Sequence, residues 1–356
     1  MRVSNAPWRP YLLSHQGGRR ICGESVSVPR GSLDRRDPIL ALTGGTGFIG
    51  RALARRFAEL GWRVRVLVRN PARAGMLGGP GLEPVVGDLE DLPALQTLVS
   101  DARAIVHCAG AVRGTTLNEF ARVNVDGVRN LARMARQRGQ APFFLSLSSL
   151  AAREPQLSPY AHSKRAGEEV LAANAGDMSW LALRPPAVYG PGDREMLPLL
   201  RGMMRGVALV LGPAHARFSM LYVDDLVAAI EHCLKAETPP TGIFELHDGH
   251  CGGYTWHQLV RTAASVRGGP VRQVRLPQTL LAGAARLSVS WARLSGQAPM
   301  FTPGKLRELR HPDWVCDNRA FHQASDWSPT VDFAEGLRRT VGARVNPLST
   351  TDPAQG

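Results

Sequence analysis

Tyr160 and Lys164 stand four positions apart in the run Ser158-Pro159-Tyr160-Ala161-His162-Ser163-Lys164. Ser158 suits a helix cap and Pro159 a first turn, so the run predicts a helix that places both side chains on one face. A phenol with a pKa of about 10 is a poor base at neutral pH, but an adjacent ammonium favours the phenolate and lowers that value. The pair then works as a proton shuttle. A half-buried tyrosine beside a solvated lysine satisfies the same spacing, so the upstream context matters. There Ser146-Leu147-Ser148-Ser149 closes the apolar run Phe143 to Leu147, setting hydroxyls at the carboxyl end of a strand, where open α/β sheets bind ligands. Ser149 is the hydroxyl expected to bond a reacting oxygen, with Ser148 as the alternative.

A second motif, Thr43-Gly44-Gly45-Thr46-Gly47-Phe48-Ile49-Gly50, directly follows an apolar run and opens a helical one. It reads as G-x-x-G-x-x-G through Gly44, Gly47 and Gly50, or as G-x-G-x-x-G through Gly45, Gly47 and Gly50. Either reading gives a tight turn and a backbone that approaches a pyrophosphate at a helix N-terminus, the signature of a dinucleotide site. The second strand ends Leu67-Val68-Arg69-Asn70, without the acid that would pair with a ribose 2′-hydroxyl. A guanidinium at Arg69, helped by Arg73, suits a 2′-phosphate, so NADP(H) is preferred and NAD(H) possible. Asp88, just past the third strand, is placed to accept a bond from an adenine amine, or simply to form a turn.

These groups need a scaffold, and strands alternate with helices from residue 38 onward. Ile39 to Leu42, Val64 to Val68, Leu82 to Val86, Ala104 to Cys108 and Phe143 to Leu147 read as strands; Ile49 to Leu60, Ala94 to Leu98 and Phe120 to Ala135 read as helices. That alternation predicts a doubly wound parallel sheet covered on both faces. Residues 38–190 form the expected nucleotide-binding domain. Residues 191–342 mainly form a smaller substrate lobe, with about 218–236 returning to the first sheet. Residues 1–37, with seven arginines against three acids, read as a basic disordered extension, a transit peptide or the result of a misassigned start. Residues 343–356 read as a polar tail.

Composition excludes several classes of function. The 356 residues are 44% hydrophobic and 21% charged, ordinary globular values, and no apolar run reaches the roughly eighteen residues of a membrane span. The net charge of +13 comes from 40 arginines and only three lysines, Lys164, Lys235 and Lys305, scattered without a basic run, so no nucleic-acid partner is expected. Five dispersed cysteines without a C-x-x-C pair argue against disulfides and for a reducing, cytoplasmic setting. His247, His250, Cys251 and His257 read as a loop rather than a zinc site, so no metal is expected. The Leu- and Ala-rich stretch 276–294 is interrupted by Arg286 and Arg293 and reads as lobe packing, with attachment to membrane-borne lipid as the lesser reading.

Taken in order, these motifs resemble the extended short-chain dehydrogenase/reductase superfamily, in its NAD-dependent epimerase/dehydratase branch. The likeness runs from about Ile39 to Arg339 and includes Asn124-Val125-Asp126-Gly127, Leu183-Arg184-Pro185-Pro186, Tyr222-Val223-Asp224-Asp225 and Trp327-Ser328-Pro329. The resemblance implies an NAD(P)-binding Rossmann fold, a Ser149, Tyr160 and Lys164 triad, and Lys164 on the nicotinamide ribose. It places the cofactor against Gly44, Gly47, Phe48, Ile49, Gly50, Arg69, Asp88, Leu89 and Ala109, with Pro185 near the carboxamide. The activity implied is an oxidoreductase or epimerase acting on a secondary alcohol or ketone, including sugar nucleotides or lipids, in a possible homodimer. A non-catalytic nucleotide-binding subunit of the same fold is the alternative. Tyr222 stands where sugar-nucleotide members usually carry histidine, and the loop Asp193 to Pro198 looks more like reductases and hydroxysteroid dehydrogenases.

Overall fold

The computed structural model describes residues 37–73, 75, 79–137, 141–295, 298–299 and 301–342. The expected basic extension, the C-terminal tail and the side chain of Arg73 lie outside the described residues.

The first half of the chain alternates β1 (Ile39–Thr43), α1 (Phe48–Glu59), β2 (Arg63–Val68), β3 (Leu82–Val86), α2 (Leu92–Val99) and β4 (Ala104–His107). It continues with α3 (Leu117–Ala121), α4 (Gly127–Arg136), β5 (Phe143–Leu147), α5 (Pro159–Asn174) and β6 (Trp180–Arg184). Successive residues of a strand point to opposite faces, and both faces are covered. Leu40 and Leu42 of β1 join Leu53 and Phe57 of α1 in one core. Ala41, Ile105 and Phe144 join Leu95, Leu131 and Leu171 in the other.

Next come β7 (Ala187–Tyr189), α6 (Leu197–Met204), β8 (Val207–Val210), β9 (Arg217–Phe218), β10 (Met220–Tyr222), α7 (Val223–Lys235) and β11 (Gly242–Glu245). The last are β12 (Tyr254–Thr255), α8 (Trp256–Arg267), β13 (Arg272–Arg275), α9 (Gln278–Ser295), α10 (Pro303–Arg310), β14 (Asp313–Trp314), α11 (Arg319–Ser325) and α12 (Phe333–Gly342).

The main sheet has seven strands in the order β11-β6-β5-β4-β1-β2-β3, every pairing parallel. The chain moves outward from β1 through β2 to β3, then restarts on the other side at β4. The crevice beyond β1 and β4 is therefore the topological switch point where such sheets bind ligands.

One expectation needs correction. The strand at 218–223 does not return to this sheet: β10 pairs with β7 in a separate two-stranded sheet, and the seventh strand of the main sheet is β11, which pairs with β6. Only α7 rejoins it, burying Leu226, Val227 and Ile230 in the same core as Leu53 and Phe57. The helix expected over 120–135 extends over 117–136 and contains a π-helical turn at Arg122–Asp126. Only five residues of α3 precede that turn, too few for the shift in phase it causes to show in the hydrophobic pattern.

Candidate active site

Two glycines shape the turn after β1. Gly44 has a φ of +73°, and a Cβ there would lie 2.6 Å from the Ala109 nitrogen. At Gly50 a Cβ would lie 2.1 Å from the Gly44 carbonyl oxygen. Side chains would therefore fill the space in which helix, turn and β4 meet. The Gly47 amide donates to Gly44 O at 2.9 Å, and Gly47 caps α1 without a side-chain acceptor or an acid in the first turn. The free amides and dipole of the α1 N-terminus suit an anion, and this cradle fits a dinucleotide pyrophosphate.

At the end of β5 the two serines separate. Ser148 is buried and donates to Glu168 Oε1, while Arg184 clamps that carboxylate through Nε at 2.8 Å and Nη2 at 2.6 Å. Ser149 caps the short turn that follows, accepting from the Ala151 amide at 3.2 Å, and its side chain is in hydrogen-bonding reach of Tyr160. Ser158 caps α5 by accepting from Ala161 N at 2.9 Å, with Pro159 in the first turn, as the spacing predicts. Tyr160 and Lys164 follow on that helix. Lys164 Nζ donates to the Leu147 carbonyl at 3.0 Å, which ties the ammonium to the strand bearing the serines.

Asn124, buried in the π-helical turn, braces this arrangement. It accepts from Ala111 N at 2.9 Å and donates to Ser163 Oγ at 2.8 Å, linking the loop after β4 to α5. Its place in the Asn124-Val125-Asp126-Gly127 motif was the available signal, but its partners follow from the π turn.

Lys305 of α10 was not anticipated. Its Nζ lies 5.8 Å from the centre of the Tyr160 ring and 3.0 Å from Glu308 Oε2, and Glu308 in turn accepts from Ser158, the cap of α5. One signal was visible: in a chain with only three lysines, two, Lys164 and Lys305, face one cavity.

That cavity has a volume of about 1350 Å³. It is lined by Gly44, Gly47, Phe48, Ile49, Gly50 and Pro185, and by Ser149, Tyr160 and Lys164. Arg69, Asp88, Leu89 and Ala109 are not in its wall. They follow the carboxyl ends of β2, β3 and β4, around the β1 turn. Arg69 is exposed, and Asp88 Oδ1 already accepts from the amides of Glu90 and Asp91, at 2.8 and 3.1 Å.

The electrostatics revise one expectation. Burial pushes the Tyr160 phenol above its ordinary value, with the Ser149 hydrogen bond and the Lys305 charge pulling the other way. The phenol is thus raised rather than lowered, and Lys305 is a cation acting on it that the spacing of Tyr160 and Lys164 did not reveal. Burial pushes Lys164 down to about 8, with Cys108 and Glu168 opposing. His107, bonded through Nδ1 to Thr43 at 2.9 Å, is pushed down to about 3 by burial and then by the Lys164 charge, so it stays neutral.

Among the described residues no group of three His, Cys, Asp or Glu side chains is arranged to hold a metal, and no helix is long and apolar enough to cross a membrane. His247 accepts from the Gly249 amide and His250 stacks on Tyr254.

Comparison with known proteins agrees with this architecture. The profile of the NAD dependent epimerase/dehydratase family matches residues 40–246. A ceramide reductase of Caulobacter vibrioides is 44% identical over 277 residues, 78% of this chain and 86% of that protein. A 2-alkyl-3-oxoalkanoate reductase of Stenotrophomonas maltophilia is 28% identical over 334 residues, 84% of this chain and 97% of that one. Among solved structures, MoeE5 in complex with UDP-glucuronic acid and NAD superposes with a TM-score of 0.66 at 22% identity, covering 86% of this chain and 98% of that one.

Proposed function

Because the chain belongs to the NAD dependent epimerase/dehydratase family and is an NAD-dependent oxidoreductase or epimerase, we propose that it reduces the ketone of a long-chain, ceramide-like lipid to a secondary alcohol, preferring NADPH. The observation that carries this reading is the convergence of Ser149, Tyr160, Lys164 and the glycine turn on one cavity. The likeness to a ceramide reductase supports the substrate class. So do Leu199, Leu211, Val289 and Phe301 in the cavity wall, which offer an acyl chain an apolar surface.

Each residue has a distinct task. The nicotinamide, when bound, supplies the hydride to the carbonyl carbon. Ser149 donates a hydrogen bond to the carbonyl oxygen and polarises it. Tyr160, kept protonated by its burial, gives its proton to the same oxygen, so the product leaves as an alcohol. Lys164 and Lys305 hold positive charge beside the phenolate left behind until solvent restores its proton. A phenol poised as an acid suits reduction at neutral pH. Incubating the protein with NADPH and a ceramide-like ketone should consume both and give the secondary alcohol by mass spectrometry. Saturating NADPH binding without turnover of any lipid ketone would instead favour a non-catalytic nucleotide-binding subunit.

Two further outcomes are expected. Arg69→Asp weakens NADPH binding in fluorescence titration by roughly 10- to 100-fold, the worth of one charge-assisted bond, and leaves NADH binding unchanged or improved. Equal loss for both coenzymes would mean that Arg69 does not read the 2′-phosphate. The second outcome concerns pH. Lys164 is cationic below its value of about 8 and neutral above it. Reduction needs the cation, so kcat/KM for the ketone is level below that pH and then falls by about tenfold per unit. A profile level for about two units beyond it would remove Lys164 from the proton transfer.

A further inference from the structure

Helix α9 is apolar on two sides. Leu281 and Ala285, one turn apart, are buried, and the helix packs on α10. Arg286, Val289 and Ser290 contribute to the wall of the cavity that holds Tyr160. On the outer side Leu280, Leu287, Trp291 and Leu294 are 65%, 72%, 71% and 83% exposed. With the exposed Ala284 between them, they recur at steps of three and four residues, which is one continuous stripe along the helix.

Single exposed leucines are ordinary, but four large side chains on one stripe put on the order of 500 Å² of apolar surface in water, a size that marks a contact site. Charge identifies the occupant. Residues 278–295 include Arg286 and Arg293 and neither Asp nor Glu. β13, which leads into α9, adds exposed Arg272 and Arg275, and the whole chain carries +13. A second copy would bring the same cationic segment against this one, whereas an anionic bilayer offers phosphates for the exposed Arg272 and Arg275 and an acyl boundary for leucine and tryptophan.

We propose that the outer stripe of α9 docks the protein on an anionic lipid bilayer. The helix lies in the interface, since it is too polar to span. Because the same helix walls the cavity, docking brings the membrane to the cavity's rim, and a lipid ketone enters without passing through bulk water. This last step rests on the function proposed above; the docking itself does not.

The test is co-sedimentation of the full chain with vesicles of pure phosphatidylcholine or of equimolar phosphatidylcholine and phosphatidylglycerol. The protein should pellet with the anionic vesicles and bind them at least about tenfold more tightly than the neutral ones. Leu287→Gln/Trp291→Gln/Leu294→Gln should lose that binding while keeping its elution volume and its turnover of a short, water-soluble ketone. Should that variant misfold, Arg272→Glu/Arg275→Glu, exposed at both positions, should weaken the anionic preference. Wild-type protein left in the supernatant with both vesicles, or a triple variant that binds as before, would overturn the proposal. So would a dimer that the triple variant converts to monomer, because the stripe would then belong to a second copy. Vesicle binding with no ketone turnover would overturn the proposed function and leave the docking standing; the converse result would do the reverse.

Discussion

Tyr160→Phe lowers kcat for ketone reduction by roughly a thousandfold, the usual worth of a positioned proton donor, with coenzyme affinity kept within about twofold. The reasoning is geometric. The phenol sits between Ser149 and Lys305 in the shared cavity, and its ring packs edge-on against Phe120 with centroids 6.0 Å apart. Phenylalanine keeps that packing and removes only the oxygen, so the loss reports chemistry rather than folding. Stopped-flow turnover and coenzyme titration on the same preparation separate the two. An unchanged kcat with an authentic substrate would mean that the proton comes from elsewhere.

The second large effect is on stability. Arg184→Met strands the carboxylate of Glu168, a residue only 3% exposed, and lowers the free energy of unfolding by about 3–5 kcal/mol, read from urea denaturation. The loss is mostly the penalty of an unpaired buried charge, so the double variant Glu168→Leu/Arg184→Met should recover much of it. A double variant no better than the single one would show that the pair contributes by its own attraction. Replacing Glu168 in the double variant also frees Ser148, whose hydroxyl donates to that carboxylate at the strand end that holds Lys164 through Leu147.

How much was legible in the residues depended on how local each signal was. The glycine turn, the capped Tyr160 helix and the serines closing β5 are contiguous motifs whose physics is complete within about ten residues, and they lie where their spacing placed them. The outer stripe of α9 was half legible: periodicity reveals an apolar helix but not which face has a partner, so the reading as packing holds for Leu281 and Ala285 and fails for Leu280, Leu287, Trp291 and Leu294. The contact of Lys305 with Tyr160 joins positions 145 apart in sequence, and no spacing rule reaches that far. The misplaced edge strand has a similar cause. Met220–Tyr222 and Gly242–Glu245 are both short and of strand type, and only the path of the intervening α7 decides which one meets β6.

The scarcity of lysine carries a practical consequence. Outside the chain's N-terminus, an amine-directed acylating reagent has three side chains to modify, of which Lys235 is paired with Glu231 on the surface and the other two face the cavity. Lys164, with part of its population uncharged near neutrality, is a ready nucleophile. Lys305, raised despite its burial by the Glu308 carboxylate 3.0 Å away, stays protonated and reacts slowly, so peptide mass mapping after brief acylation would act as a built-in occupancy gauge read at Lys164, whose protection would track coenzyme.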